Sequence, residues 1–257
     1  MISFITLFKR EISRFCKVII QTLLTPFVSA FLYMLIFGVN LGTTLSTQTD
    51  IPYLAYLIPG LIMMGIINNA YQNSSSSIIN MKFTGDLEDL RVVPLTNIQI
   101  ILAMGLAALF RGFIVGFVTW ITGNLFLFYF YNHFLTISHP LILLFYIITS
   151  GLSFGFIGIF IAFKAKSFDQ LSAFSTFILL PLTYLGGVFV SIDSLGPAWK
   201  TVSELNPLLY FIEGMRYSFL GTSDIHLEKG ILISIVSVII FYYLALKSLK
   251  PGSFRRW

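Results

Sequence analysis

Side chains equipped for chemistry are scarce in these 257 residues, which carry 3 histidines, 1 cysteine and only 11% charged residues. His133, His139 and His226 stand far apart, with no Cys or carboxylate at the spacing a metal ion needs. Cys16 is the single cysteine, so an internal disulfide and dithiol redox chemistry are both excluded. No G-x-x-x-x-G-K-[S/T] stretch is present, so the chain does not hydrolyse nucleotide by the P-loop route. Asn73-Ser74-Ser75 has the form of a glycosylation acceptor, but it falls at the expected cytoplasmic end of an apolar run and is discounted. No catalytic, cofactor-binding or metal-binding set emerges, and an intramembrane enzyme is the weakest reading.

Charged residues within otherwise apolar surroundings carry more information. In the stretch Gly85-Asp86-Leu87-Glu88-Asp89-Leu90-Arg91, Asp86 suits an N-cap and Asp89 adds negative charge at a helix's positive end. Leu87 and Leu90 share one face, and Pro94 stops the helix. The expectation is a helix over about 85–93 presenting two exposed leucines, either to a docking partner or as a solvated turn. Further on, Asn206 is a natural N-cap, Pro207 fits the first helical position, and Gly221 can close the helix. Such a helix measures ~20 Å, too short to cross a bilayer. Within it Glu213 and Arg216 stand at i and i+3 and can pair. A helix that dips into the outer leaflet and one that merely caps the bundle both fit. Arg111, beside Gly112, is an intramembrane charge that either snorkels or faces the bundle interior.

The elements that must position these residues are apolar runs of membrane-spanning length. Hydrophobic residues make up 56% of the chain, including 27 Phe and 12 Tyr. Six runs, at about 18–39, 54–73, 98–131, 141–163, 171–190 and 230–246, are long enough to cross a core of ~30 Å. The fold class is therefore all-α: one polytopic membrane domain over 1–257, with an outer re-entrant region at about 191–225. Residues 1–17 form an amphipathic cytoplasmic helix whose stripe Ile5, Phe8, Ile12, Phe15 and Ile19 suits the headgroup layer, or else simply extends the first span.

Six spans put both termini on one side. Lys9, Arg10, Arg14, Lys17, Lys82, Arg91, Lys164, Lys166, Lys247, Lys250, Arg255 and Arg256 then share a side, against Lys200, Arg216 and Lys229 opposite. By the positive-inside rule both termini are cytoplasmic. The formal charge of +5 is thus a topology signal, and no basic patch suits nucleic acid.

Taken with these residues, the chain resembles the permease subunits of type-2 ABC exporters, the polysaccharide, lipo-oligosaccharide and drug exporters, over nearly its full length. The resemblance is densest from Leu179, Leu182, Leu185, Gly186, Val188, Leu195 and Gly196 to Pro207, Leu208, Tyr210 and Arg216. Ile58-Pro59-Gly60 and Thr183-Tyr184-Leu185-Gly186-Gly187-Val188-Phe189 fit as well. It implies that Gly85–Arg91 is the coupling helix that docks on a separate ATPase subunit, and that Pro207–Leu220 belongs to an outer gate. It further implies two ATPase copies carrying ATP and Mg, no cofactor in this chain, and a second permease copy, as a homodimer. The implied setting is the bacterial inner membrane, and the implied cargo is an amphiphile such as a lipid-linked glycan, a lipid or a drug.

Competing classes fare worse. A secondary transporter would use intramembrane carboxylates, and no expected span contains Asp or Glu. A channel would need polar rings along a pore. A non-transporting scaffold that works without ATP stays as the alternative.

Overall fold

The computed structural model describes residues 2–40, 52–90 and 92–249, so Arg91, Lys250, Arg255 and Arg256 lie outside the described residues. All regular structure within them is helical. Helix α1 covers Ile2–Cys16 and α2 covers Ile19–Tyr33, running on as a π-helix over Met34–Asn40. Helix α3 (Tyr53–Thr84) is followed by the single turn α4 (Asp86–Asp89), then by α5 (Asn97–Tyr131) and α6 (Pro140–Lys164). Helix α7 (Phe168–Phe174) passes through a π-turn, Ser175–Leu179, into α8 (Leu180–Leu185). A 3-10 turn at Ile192–Ser194, α9 (Pro197–Glu204), α10 (Pro207–Leu220) and α11 (Leu227–Ser248) complete the order.

Five of these helical stretches are long and apolar enough to cross a membrane: Ile19–Val39, Tyr53–Thr84, Asn97–Tyr131, Pro140–Lys164 and Leu227–Ser248. The run expected at 171–190 is not among them. Its helix starts earlier, at Phe168, contains the π-turn, and ends at Leu185. Pro181 has no N–H to return to the preceding turn, and the ladder there widens to π geometry before the chain leaves the helix at Gly186.

Helix α3 is the axis of the bundle. It is apolar on every side in its outer half, and such a helix is stable only when enclosed. Most of its residues are buried, from Tyr53 to Lys82, with α5, α6, α10 and the π-helix that continues α2 packed around it. Close approach depends on glycine at two points. A Cβ at Gly112 would lie 2.9 Å from the Ile66 carbonyl oxygen, and one at Gly158 would lie 2.7 Å from that of Tyr71. By contrast α2 and α11 turn most of their apolar surface outward, including Ile20, Leu24, Leu232, Ile239 and Tyr243. Lipid solvates such faces as readily as protein does.

Helix α1 sits differently from its expected stripe. It packs on the inner part of α5 through Leu7, Glu11 and Phe15, which are buried, whereas Ile5 and Ile19 are exposed. The polar contacts of Arg14 decide this rotation. Arg14 pairs with Glu11 at 3.3 Å and donates to the Asn73 carbonyl oxygen at 2.7 Å, to Asn73 Oδ1 at 3.1 Å and to Ser76 Oγ at 3.3 Å, all three on α3.

The C-terminal end of α3 is fastened to α6 by one side chain. Lys82 is buried, and its Nζ donates to the carbonyl oxygens of Ala162 and Phe163, both at 2.8 Å, and of Ala165 at 3.2 Å. These carbonyls end α6 and lack intrahelical partners, and a cation there also meets the negative end of the helix dipole. One residue on, Phe83 stacks on Phe168 at the start of α7, ring centroids 5.5 Å apart. Lys82→Met keeps the apolar stem but removes all three donations, at a cost of about 2–3 kcal/mol. The detergent-solubilised protein is expected to lose roughly 4–8 °C of apparent Tm in a thermal unfolding scan. An unchanged Tm would mean that water serves those carbonyls equally well.

Candidate functional site: a cytoplasmic turn, a polar cavity and an outer ion pair

The candidate residues fall at three depths. At the C-terminal end of α3, Gly85 adopts φ 91°, ending the helix and redirecting the chain into α4. Only glycine takes that conformation without strain. Gly85, not Asp86, occupies the cap position, and no side chain caps the turn. The expected helix over about 85–93 is one turn long, because Val92 and Val93 run into Pro94 and the residue before proline is driven out of helical geometry.

The two leucines also face the other way from the expected docking surface. Leu87 is 2% exposed and Leu90 is 6% exposed, both packed into a core shared with Ile78, Ile100 and Met104. They anchor the turn to its own chain. What faces outward is Asp86, Glu88 and Asp89, flanked by Phe83 (46% exposed) and Val92 (87% exposed). Arg91 lies outside the described residues.

Toward the middle of the bundle a cavity of about 610 Å³ opens between α2, α3, α5 and the α7 segment. Its lining is polar for a membrane bundle. Gln21, Thr25 and Ser29 enter from α2, Asn68 and Gln72 from α3, and Ser172 and Ser175 from the α7 segment and its π-turn. Arg111 joins them from α5. The polar half of α3 thus divides by face. Asn68, Asn69, Gln72, Ser75 and Ser76 line the cavity, whereas Asn73, Ser74 and Ser77 are buried in helix contacts.

At the opposite end of the bundle, Asn206 Oδ1 accepts from the Leu208 N–H at 3.0 Å and its Nδ2 donates to the Leu182 carbonyl oxygen at 2.6 Å. Pro207 takes the first position of α10 and Gly221, at φ 74°, closes it. Tyr210 donates its hydroxyl hydrogen to the Glu204 carbonyl oxygen at 2.8 Å, and Leu208 is buried beside it. Glu213 and Arg216 are both almost fully buried, and Arg216 Nη1 contacts Glu213 Oε1 directly. Arg216 Nη2 donates to the Gly187 carbonyl oxygen at 2.7 Å, and its guanidinium lies 3.7 Å from the centre of the Tyr56 ring. Glu213 Oε2 accepts from the Asp224 N–H at 3.0 Å. A buried ion pair depends on such additional partners, although Arg216 Nε is buried without a hydrogen-bond partner among the described residues. The pair therefore ties α10 to the turn after α8, to the outer end of α3 and to the loop before α11.

Three contributors escape sequence reading: Glu11, which pairs with Arg14; Lys82, whose partners lie 80 residues on; and Gly187, whose carbonyl serves Arg216. Glu11 had a signal, since Leu7, Glu11 and Phe15 repeat at four-residue steps. Lys82 and Gly187 had none, because backbone acceptors leave no mark on composition.

Known proteins are similar to this chain in sequence. Residues 2–220 match the profile of the ABC-2 type transporter family. The inner membrane transport permease YadH of Escherichia coli K12 is 36% identical over 247 residues, covering 96% of this chain and 94% of YadH. Nodulation protein J of Rhizobium leguminosarum bv. viciae is 22% identical over 238 residues, 90% of this chain and 88% of that protein. Nodulation protein J of Neorhizobium galegae is 23% identical over 258 residues, 96% and 93% of the two chains. With five membrane-length apolar helices and a family profile matched over most of its length, this chain is a membrane protein that belongs to the ABC-2 type transporter family.

Proposed function

We propose that the chain is the permease subunit of an ATP-driven exporter in the bacterial inner membrane. The observation that carries this is the polar cavity of about 610 Å³, open to the surface, in an otherwise apolar bundle. Polar surface at that depth is costly unless it meets water or cargo. In this reading the α7–α8 stretch is a sixth span, both termini are cytoplasmic, and α1 lies at the inner headgroup layer. Two copies pair, and the cavity becomes the path of an amphiphilic cargo leaving the cytoplasm or inner leaflet.

Energy comes from two copies of a separate ATPase subunit that hold ATP and Mg. They engage the cytoplasmic turn Gly85–Leu90, with Arg91 next in the chain. The exposed acidic face of that turn supplies the docking charge, and Lys82 and Phe83 carry its displacement to α6 and α7. ATP drives transport by binding the two conformations with different affinity. At the far side α10 acts as a re-entrant outer gate, with Asn206, Pro207, Leu208 and Tyr210 fixing its first turn and Glu213–Arg216 holding it closed.

Two tests follow. Asp86→Lys with Glu88→Lys changes only exposed side chains, so membrane insertion stays normal while ATPase recovered by affinity purification in mild detergent falls about tenfold or more, as like charges meet. Undiminished co-purification would remove this turn as the docking site. Arg216→Ala leaves Glu213 buried without its cation, a loss of roughly 3–5 kcal/mol at that site. ATP turnover per assembled complex is expected to fall by more than the amount of folded permease does. Parallel losses of both would make the pair a structural brace only.

A further inference from the structure

Arg111 is the only charged residue among those lining the cavity, and no Asp or Glu accompanies it. Its Nε is buried without a hydrogen-bond partner among the described residues. None of the four ion pairs found there includes it. Arg14 lies close enough to repel it. An arginine keeps its charge in a protein, so this guanidinium is a cation that the chain itself leaves without a counter-charge.

Arg111 sits partway along the bundle, beside the end of α1, where Phe15 packs on Phe110. A Cβ at Gly151 would lie 3.1 Å from the Leu109 Cα, and Gly151 is near the midpoint of Pro140–Lys164. Arg111 stands two residues beyond Leu109, so it lies within about a turn of the middle of α6, roughly 18 Å from that helix's cytoplasmic end. The neutral donors Gln21, Gln72 and Ser175 line the same cavity.

We propose that the cavity binds an oxyanion (phosphate, sulfate or carboxylate) on the Arg111 guanidinium. The planar fork of arginine suits such groups with two parallel hydrogen bonds. This rests on the reading of the cavity as the cargo path, and it makes the exported molecule one with an anionic head. The apolar lining contributed by Leu61, Met64 and Tyr33 then faces the rest of an amphiphile.

The test needs neither ATPase nor nucleotide, so its outcome is separable from that of the exporter assignment. The purified full chain in neutral maltoside micelles is titrated calorimetrically with dioctanoyl phosphatidic acid and with dioctanoylglycerol, which share tails and differ in the head. The anionic lipid is expected to bind about tenfold or more tightly than the neutral one. Arg111→Gln should bring the two within about twofold, and Arg111→Lys should fall between because it keeps the charge and loses the fork. Should Arg111→Gln fail to fold, Gln72→Glu serves instead. It places a carboxylate in the same cavity and should erase the preference. Competition by inorganic phosphate at a similar concentration would identify a soluble anion as the source, and its failure to compete would identify the head of an amphiphile. Equal binding of the two lipids by the unaltered chain, or a preference that survives both variants, would overturn the proposal.

Discussion

Cations in this bundle are seated on backbone carbonyl oxygens. Lys82 holds three of them at the inner end of α6, Arg216 holds that of Gly187 near the outer face, and Arg14 holds that of Asn73 beneath the cavity. In water such contacts would be worth little. In a bilayer the exposed carbonyls at a helix end have no solvent to turn to, and the cation and the acceptor solve each other's problem. The architecture rests on these three seats, since each one joins helices that apolar packing alone would leave free to slide. Lipid competes on equal terms for every leucine and phenylalanine on those helices.

Helix α3 is where the seats converge. Its inner end carries Lys82, its polar middle receives Arg14, and its outer end offers the Tyr56 ring to Arg216. The Tyr53 hydroxyl adds a bond to the Phe189 carbonyl oxygen at 2.6 Å. The cytoplasmic turn, the cavity and the outer helix are therefore three features of one rod. A movement imposed at Gly85 reaches all of them through a single helix of 32 residues.

Much of this was legible in residue order. Apolar run lengths located the long helices, and Asn206, Pro207 and Gly221 marked α10 correctly at both ends. The i, i+3 spacing also brought Glu213 and Arg216 into contact. Facing was the part that stayed hidden. Leu87 and Leu90 point inward and α1 is rotated from its expected stripe, because in a membrane a leucine is equally at home against lipid or protein. The interruption of the helix before Leu185 was hidden as well, since a π-turn is a matter of backbone ladder rather than composition. The cavity arises from four separate segments, and only its contribution from α3 stood out as an unusual cluster of Asn, Gln and Ser.

The 80-residue separation between Lys82 and its acceptors sets an order of events during synthesis. Helix α3 leaves the ribosome well before α6 exists, so its inner end enters the membrane surface with an ammonium group that has no seat. Only when the α5–α6 hairpin has been delivered can that end settle to its final depth. The seat of Lys82 is therefore completed late, once the end of α6 has been made.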